Sequence, residues 1–93
     1  MFKTNEYFEG KVKSIAYESP EGNATIGVMA EGEYEFGTST VEYMTVTSGV
    51  MDVMLPGESE WKSYKEFETF IVDKDVKFKV KVKGDTSYRC LYK

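Results

Sequence analysis

The chain has 93 residues, a formal net charge of −4 and no histidine. The length suits one domain with a modest stability margin, and the charge argues against a nucleic-acid binder, which needs a basic footprint. The missing histidine excludes a Ser-His-Asp triad, a histidine general base and any histidine-ligated metal.

Val, Thr, Tyr and Phe are abundant while Ala and Leu are scarce, which favours strands over helices. The only cysteine is Cys90, so no intrachain disulfide is expected and a reducing compartment fits. Met1 to Glu6 has no apolar core of a signal peptide, and no apolar run reaches the ~20 residues needed to cross a bilayer. These readings predict a cytoplasmic protein with no membrane partner.

In chain order, Lys11 to Tyr17 reads as the first strand, followed by a turn at Ser19 to Asn23. Ala24, Ile26, Val28 and Ala30 read as an inward row. After Glu31-Gly32-Glu33, Tyr34 and Phe36 alternate with Glu33 and Glu35. Val41 to Thr47 is a strand, and Val50 to Leu55 is another, ended by Pro56-Gly57. Glu58 to Glu66 is a loop or one helical turn, with Trp61 and Tyr64 at a cavity mouth or an interface. Phe67 to Val72 and Val76 to Val82 flank a turn at Asp73 to Asp75. In the second of these strands Val76, Phe78, Val80 and Val82 face inward, and Lys77, Lys79, Lys81 and Lys83 form a solvated outer row. Ser87 to Tyr92 closes the chain, with Tyr88, Cys90 and Tyr92 on one face. About eight short strands at roughly 8–12-residue spacing predict an all-β sandwich or small barrel.

Two segments resemble the motifs of the cupin barrel. Glu42 to Gly49 fits the Glu-to-Gly spacing of the first motif, but residues around Phe36, Gly37 and Thr38 stand where a His-x-His pair belongs. Phe70 to Phe78 has the shape of the second motif, with Phe78 at the histidine position. One remaining carboxylate, Glu42, does not supply the several donors at about 2.0–2.6 Å that a divalent metal requires. The expectation is a cupin-like jelly-roll barrel over residues 1–93 with no metal and no cofactor.

Longer stretches resemble the small pyrimidine/purine nucleoside phosphorylase family. They are Asn5 to Ile15, Gly27-Val28-Met29 with Gly32 to Phe36, Glu42 to Gly49, and the ending Ser87 to Tyr92. This resemblance implies a homodimer that cleaves purine and pyrimidine nucleosides with inorganic phosphate, giving free base and ribose 1-phosphate.

The chemistry suits a chain without histidine. Phosphate is already an anion near neutral pH, so no base is needed to make the nucleophile. The protein must position it, stabilise an oxocarbenium-like sugar and help the base leave. Glu42 is the leading catalytic carboxylate, by protonating the base or contacting the ribose; a purely structural role is the alternative. Thr38, Ser39 and Thr40 form a hydroxyl cluster suited to phosphate or to a plain turn. Phe36, Phe78 and Tyr88 fall at inward positions, as a stacking surface for bases or as core. Arg89, the only arginine, is a phosphate-clamp candidate, although strand parity turns it outward; Lys11 and Lys13 are alternative donors. A competing function is a non-catalytic cupin that binds a sugar or a nucleotide-like molecule, and a third is a structural dimer with a filled interior.

Overall fold

Period-2 alternation builds ten strands and no helix in the computed structural model, which describes Met1–Lys93. They are β1 (Lys3–Tyr7), β2 (Val12–Ser19), β3 (Gly22–Met29), β4 (Gly32–Gly37), β5 (Glu42–Ser48), β6 (Met51–Met54), β7 (Lys62–Tyr64), β8 (Thr69–Val72), β9 (Lys77–Val82) and β10 (Thr86–Tyr92). A six-stranded sheet runs β1-β2-β3-β10-β5-β8, and a four-stranded sheet runs β4-β9-β6-β7. Every pairing is antiparallel. The expected barrel of about eight strands is therefore corrected to ten strands in two sheets that do not close. The physical reason is edge pairing: β1 and β8 end one sheet, β4 and β7 end the other, and no ladder joins them.

The core lies between the sheets. Val12, Met29, Met44, Val46 and Phe70 point in from the larger sheet, and Tyr34, Met51, Val53, Phe78, Val80 and Val82 from the smaller. Outside the smaller sheet the lysine row is matched by acids, with Lys81 opposite Glu33 and Lys79 opposite Glu35. The sheets are tied at a corner by Thr38, whose N–H donates to Val76 O at 2.9 Å and whose carbonyl accepts from Asp75 N at 3.1 Å.

Three local expectations are overturned. β1 was not expected; its residues are almost all exposed and polar, so no apolar alternation betrays it. In β3 the inward row is Thr25, Gly27 and Met29, while Ile26 and Val28 face outward at 43% and 51% exposure. The reason is the partner strand, because Gly27 sits opposite Tyr88 and only a residue without a side chain leaves room for that ring. Finally, the segment around Trp61 is neither a helical turn nor a lid on the cavity described below. Lys62–Tyr64 pairs with β6, and the Trp61 ring lies 4.4 Å from the Lys81 ammonium outside the small sheet.

The hairpin loop between β1 and β2 is the most unusual piece of backbone. Phe8, Glu9 and Gly10 all have positive φ (53°, 59° and 86°). Gly10 N–H closes the turn on Tyr7 O, and Lys11 N–H on Phe8 O, each at 3.2 Å. Glycine holds such a conformation freely, but the two side-chain-bearing residues cost about 1–2 kcal/mol each.

Candidate active site

A cavity of about 240 Å3 opens between the sheets on the side where β1 and β4 form their unpaired edges, just under the ~300–1,000 Å3 usual for ligand pockets. Glu42 reaches it from the first residue of β5, with Met44 beside it. Tyr88, Cys90 and Tyr92 arrive from alternate positions of β10, Ser14 from β2, Phe36 and Phe78 from the smaller sheet, and Tyr7 and Phe8 from the β1–β2 hairpin. The result is the half-buried Glu42 carboxyl and several hydroxyls among aromatic rings, with the exposed Glu35 at the rim.

Glu42 is half-buried. Burial pushes its carboxyl above the ordinary glutamate range, and a hydrogen bond from the Cys90 thiol to Oε1 at 3.5 Å offsets only part of that rise. Cys90 is itself held protonated by burial and by the adjacent carboxyl, which makes it a donor rather than a nucleophile. Burial pushes Tyr88 up to about 12, although a hydrogen bond with Ser14 opposes it. Tyr92 is raised by burial as well, and its hydroxyl lies 3.1 Å from Thr25 Oγ1. At neutral pH Tyr88 and Tyr92 therefore present O–H groups to the cavity.

Of the residues expected from the sequence, Glu42, Phe36, Phe78 and Tyr88 meet at this cavity. Thr38 does not: its Oγ1 donates to Asp73 O at 2.7 Å and accepts from Val76 N at 3.1 Å, holding the corner between sheets. Ser39 is exposed in the same corner. Thr40 Oγ1 is buried without a hydrogen-bond partner and lies outside the cavity lining. Arg89 is on the outer face of the larger sheet, with Nε donating to Tyr17 OH at 3.2 Å and Nη2 to Glu21 at 3.1 Å. Lys11 is exposed in the hairpin loop, and Lys13 pairs with Glu6 on the surface at 3.1 Å.

Sequence reasoning missed Tyr7, Phe8, Ser14, Cys90 and Tyr92 as lining residues. The shared face of Tyr88, Cys90 and Tyr92 carried the signal for two of them. Tyr7 and Phe8 carried none, because the strand they end is polar. Phe36, Gly37 and Phe78 line the cavity beside Glu42, and no group of three or more His, Cys, Asp or Glu side chains is placed to hold a metal ion. The half-buried Glu42, the exposed Glu35 and the protonated Cys90 thiol do not make a divalent-ion site, so the donor set does not fit a bound metal.

The fold and the sequence both have known counterparts. A protein named pyrimidine/purine nucleoside phosphorylase from Pseudoalteromonas atlantica is 59% identical over 92 residues, covering 99% of each chain. A solved protein of unknown function from Vibrio parahaemolyticus is 40% identical, with a TM-score of 0.93 over 97% of this chain and 96% of that one. The ethanolamine utilization protein Q of Salmonella typhimurium is 11% identical with a TM-score of 0.76, over 99% of this chain and 93% of that one, a likeness of cupin-like fold alone. Residues 2–92 match the family model described as pyrimidine/purine nucleoside phosphorylase, and with that span and those identities the chain belongs to this family.

Proposed function

We propose that residues 1–93 act as one catalytic domain that cleaves purine and pyrimidine nucleosides with inorganic phosphate, giving free base and ribose or deoxyribose 1-phosphate. The observation that carries this reading is the half-buried Glu42 carboxyl, raised in pKa, inside an aromatic cavity. A phosphate oxygen attacks C1′, the glycosidic C–N bond breaks, and its electron pair leaves on the base. Glu42 delivers a proton to that base and recovers one from the phosphate group, whose hydrogen is released as the ester forms. The upward shift of the Glu42 pKa favours the protonated form that this role uses. The hydroxyls of Tyr7, Ser14 and Tyr88 orient phosphate and ribose, and Phe36 and Phe78 supply faces that accept any base.

The test is base release from inosine and uridine, followed by absorbance with and without phosphate. Release that depends on phosphate supports the reading. Saturable nucleoside binding without release would instead favour the non-catalytic binding protein. No step needs a Lewis acid, so turnover is expected to continue at an unchanged rate in excess EDTA. Loss of activity that one divalent ion restores would reject the metal-free part of the proposal. The lone buried thiol suits a reducing compartment, so we place the reaction in the cytosol.

The same reading includes a homodimer. Ile15 and Ile26 are cross-strand partners on the outer face of the larger sheet, near Val28, and each is about half exposed. Arg89 and Tyr17 flank them, a composition typical of interface centres. Sedimentation is expected to give about twice the chain mass of 10.6 kDa, and Ile26→Glu is expected to return the protein to one chain mass. A wild-type monomer at micromolar concentration would reject this part.

A further inference from the structure

We infer that Phe8 is a further base-contacting residue beside Phe36 and Phe78, held over the cavity mouth by a strained turn as one wall of the slot that receives the nucleobase. The inference rests on the phosphorolysis reading. Phe8 lies in the loop after β1, the edge strand of the larger sheet, and its ring meets residues of β4, the edge strand of the smaller one. Its centroid is 4.9 Å from Tyr34 and 5.5 Å from Phe36, with the latter pair edge-on at 88°. Phe36 in turn lies 5.7 Å from Phe78. The ring therefore bridges the gap between sheets and extends the aromatic wall outward.

Two features separate this ring from ordinary core. It remains 42% exposed while lining the cavity. It also stands at φ 53°, followed by Glu9 at 59°, where Asn or Gly would hold the same turn with less strain. Of the four side-chain-bearing residues at positive φ, Phe8, Glu9, Phe67 and Asp75, only Phe8 lines the cavity, so its ring is the one such side chain placed to touch a ligand there. A flat apolar ring accepts purines and pyrimidines alike, because every base has a π-face.

The test compares wild type with Phe8→Leu, which keeps apolar bulk and removes the π-face, and with Phe8→Tyr, which restores it. Steady-state phosphorolysis of inosine and uridine is measured with nucleoside and phosphate varied separately. Phe8→Leu is expected to raise the nucleoside KM about ten- to one-hundred-fold, with kcat and the phosphate KM little changed, and Phe8→Tyr to recover most of the loss. In the synthetic direction the KM for free base rises and that for ribose 1-phosphate does not. An unchanged nucleoside KM, or an equal rise in both KM values, would overturn the assignment, since the second outcome describes a collapsed cavity. If Phe8→Leu does not fold by circular dichroism, Phe8→Asn, which suits positive φ, is measured in its place against the same outcomes. Should wild type release no base, the phosphorolysis reading fails separately, and equilibrium dialysis with inosine decides the role of Phe8. Weaker binding to the variant supports it, while equal binding or none in wild type overturns it.

Discussion

Glu42→Gln is expected to lower kcat for nucleoside phosphorolysis by about 10²–10⁴-fold, the usual contribution of a positioned general acid, while leaving the fold as stable as wild type or more so. Glutamine keeps the size and one hydrogen-bond acceptor of the carboxyl but has no acidic proton for the departing base. The stability half follows from burial, which raises the Glu42 pKa in the folded state. Just above the ordinary glutamate pKa, the folded chain holds a proton that the unfolded chain has released. The contribution to stability is thus full below that range and is lost as pH rises through the folded-state pKa. Glutamine has no such loss, so its melting temperature is expected to change less than that of wild type as pH rises above the ordinary glutamate range. Activity shares the same origin: kcat is expected to fall on the alkaline side as Glu42 gives up its proton, and that limb is absent from any residual activity of the variant. Activity within a few-fold of wild type, or a melting temperature well below it at neutral pH, would remove Glu42 from the reaction.

Gly27→Ala is expected to disturb the site from behind. A Cβ at Gly27 would stand 2.5 Å from both Cζ and Oη of Tyr88, inside any real contact. The two residues are direct partners across β3 and β10, and Tyr88 is buried, so the ring must tilt into the cavity it lines. Overpacking of this kind costs about 1–3 kcal/mol, and each kcal/mol lowers the melting temperature of a chain this size by roughly 4–8 °C. Nucleoside turnover falls together with stability because the same ring causes both. Shortening it relieves the clash, so Gly27→Ala with Tyr88→Leu is expected to recover melting temperature relative to Gly27→Ala alone, as residues in contact couple. Thermal denaturation of the single and double variants checks this, and an unaltered melting temperature in Gly27→Ala would show that the strand yields instead.

Gly27 also marks where the sequence stopped being legible. Alternation assigned strands β4, β9 and β10 and the inward direction of Phe36, Phe78 and Tyr88, while the inward direction of Glu42 came from the resemblance to the first cupin motif. In β3 the same rule chose the wrong side: Ile26 and Val28 are the apolar residues, yet they face out, while glycine and threonine face in. Apolar content reports burial against something, and on this sheet both surfaces are apolar. β1 was invisible because its backbone pairing with β2, Lys3 to Tyr7 against Val12 to Ala16, needs no apolar side chains. Thr38 was singled out as a ligand hydroxyl because composition cannot tell a free hydroxyl from one bonded to Asp73 and Val76 across a corner. The contribution of Tyr7 and Phe8 depends on two sheet edges meeting, and no pattern within one strand records that.

The unjoined edges have a consequence for substrate size. A closed ring of strands fixes its own girth, since widening it means breaking ladder hydrogen bonds. Here the gap beside β1 and β4 is spanned by side chains alone, and side chains slide past one another while every backbone ladder stays intact. On the proposed reading, a bicyclic purine and a monocyclic pyrimidine enter a slot whose open side no backbone ladder holds at one width. On that reading, tolerance of both ring sizes comes from the two unjoined sheet edges and needs no adjustable loop.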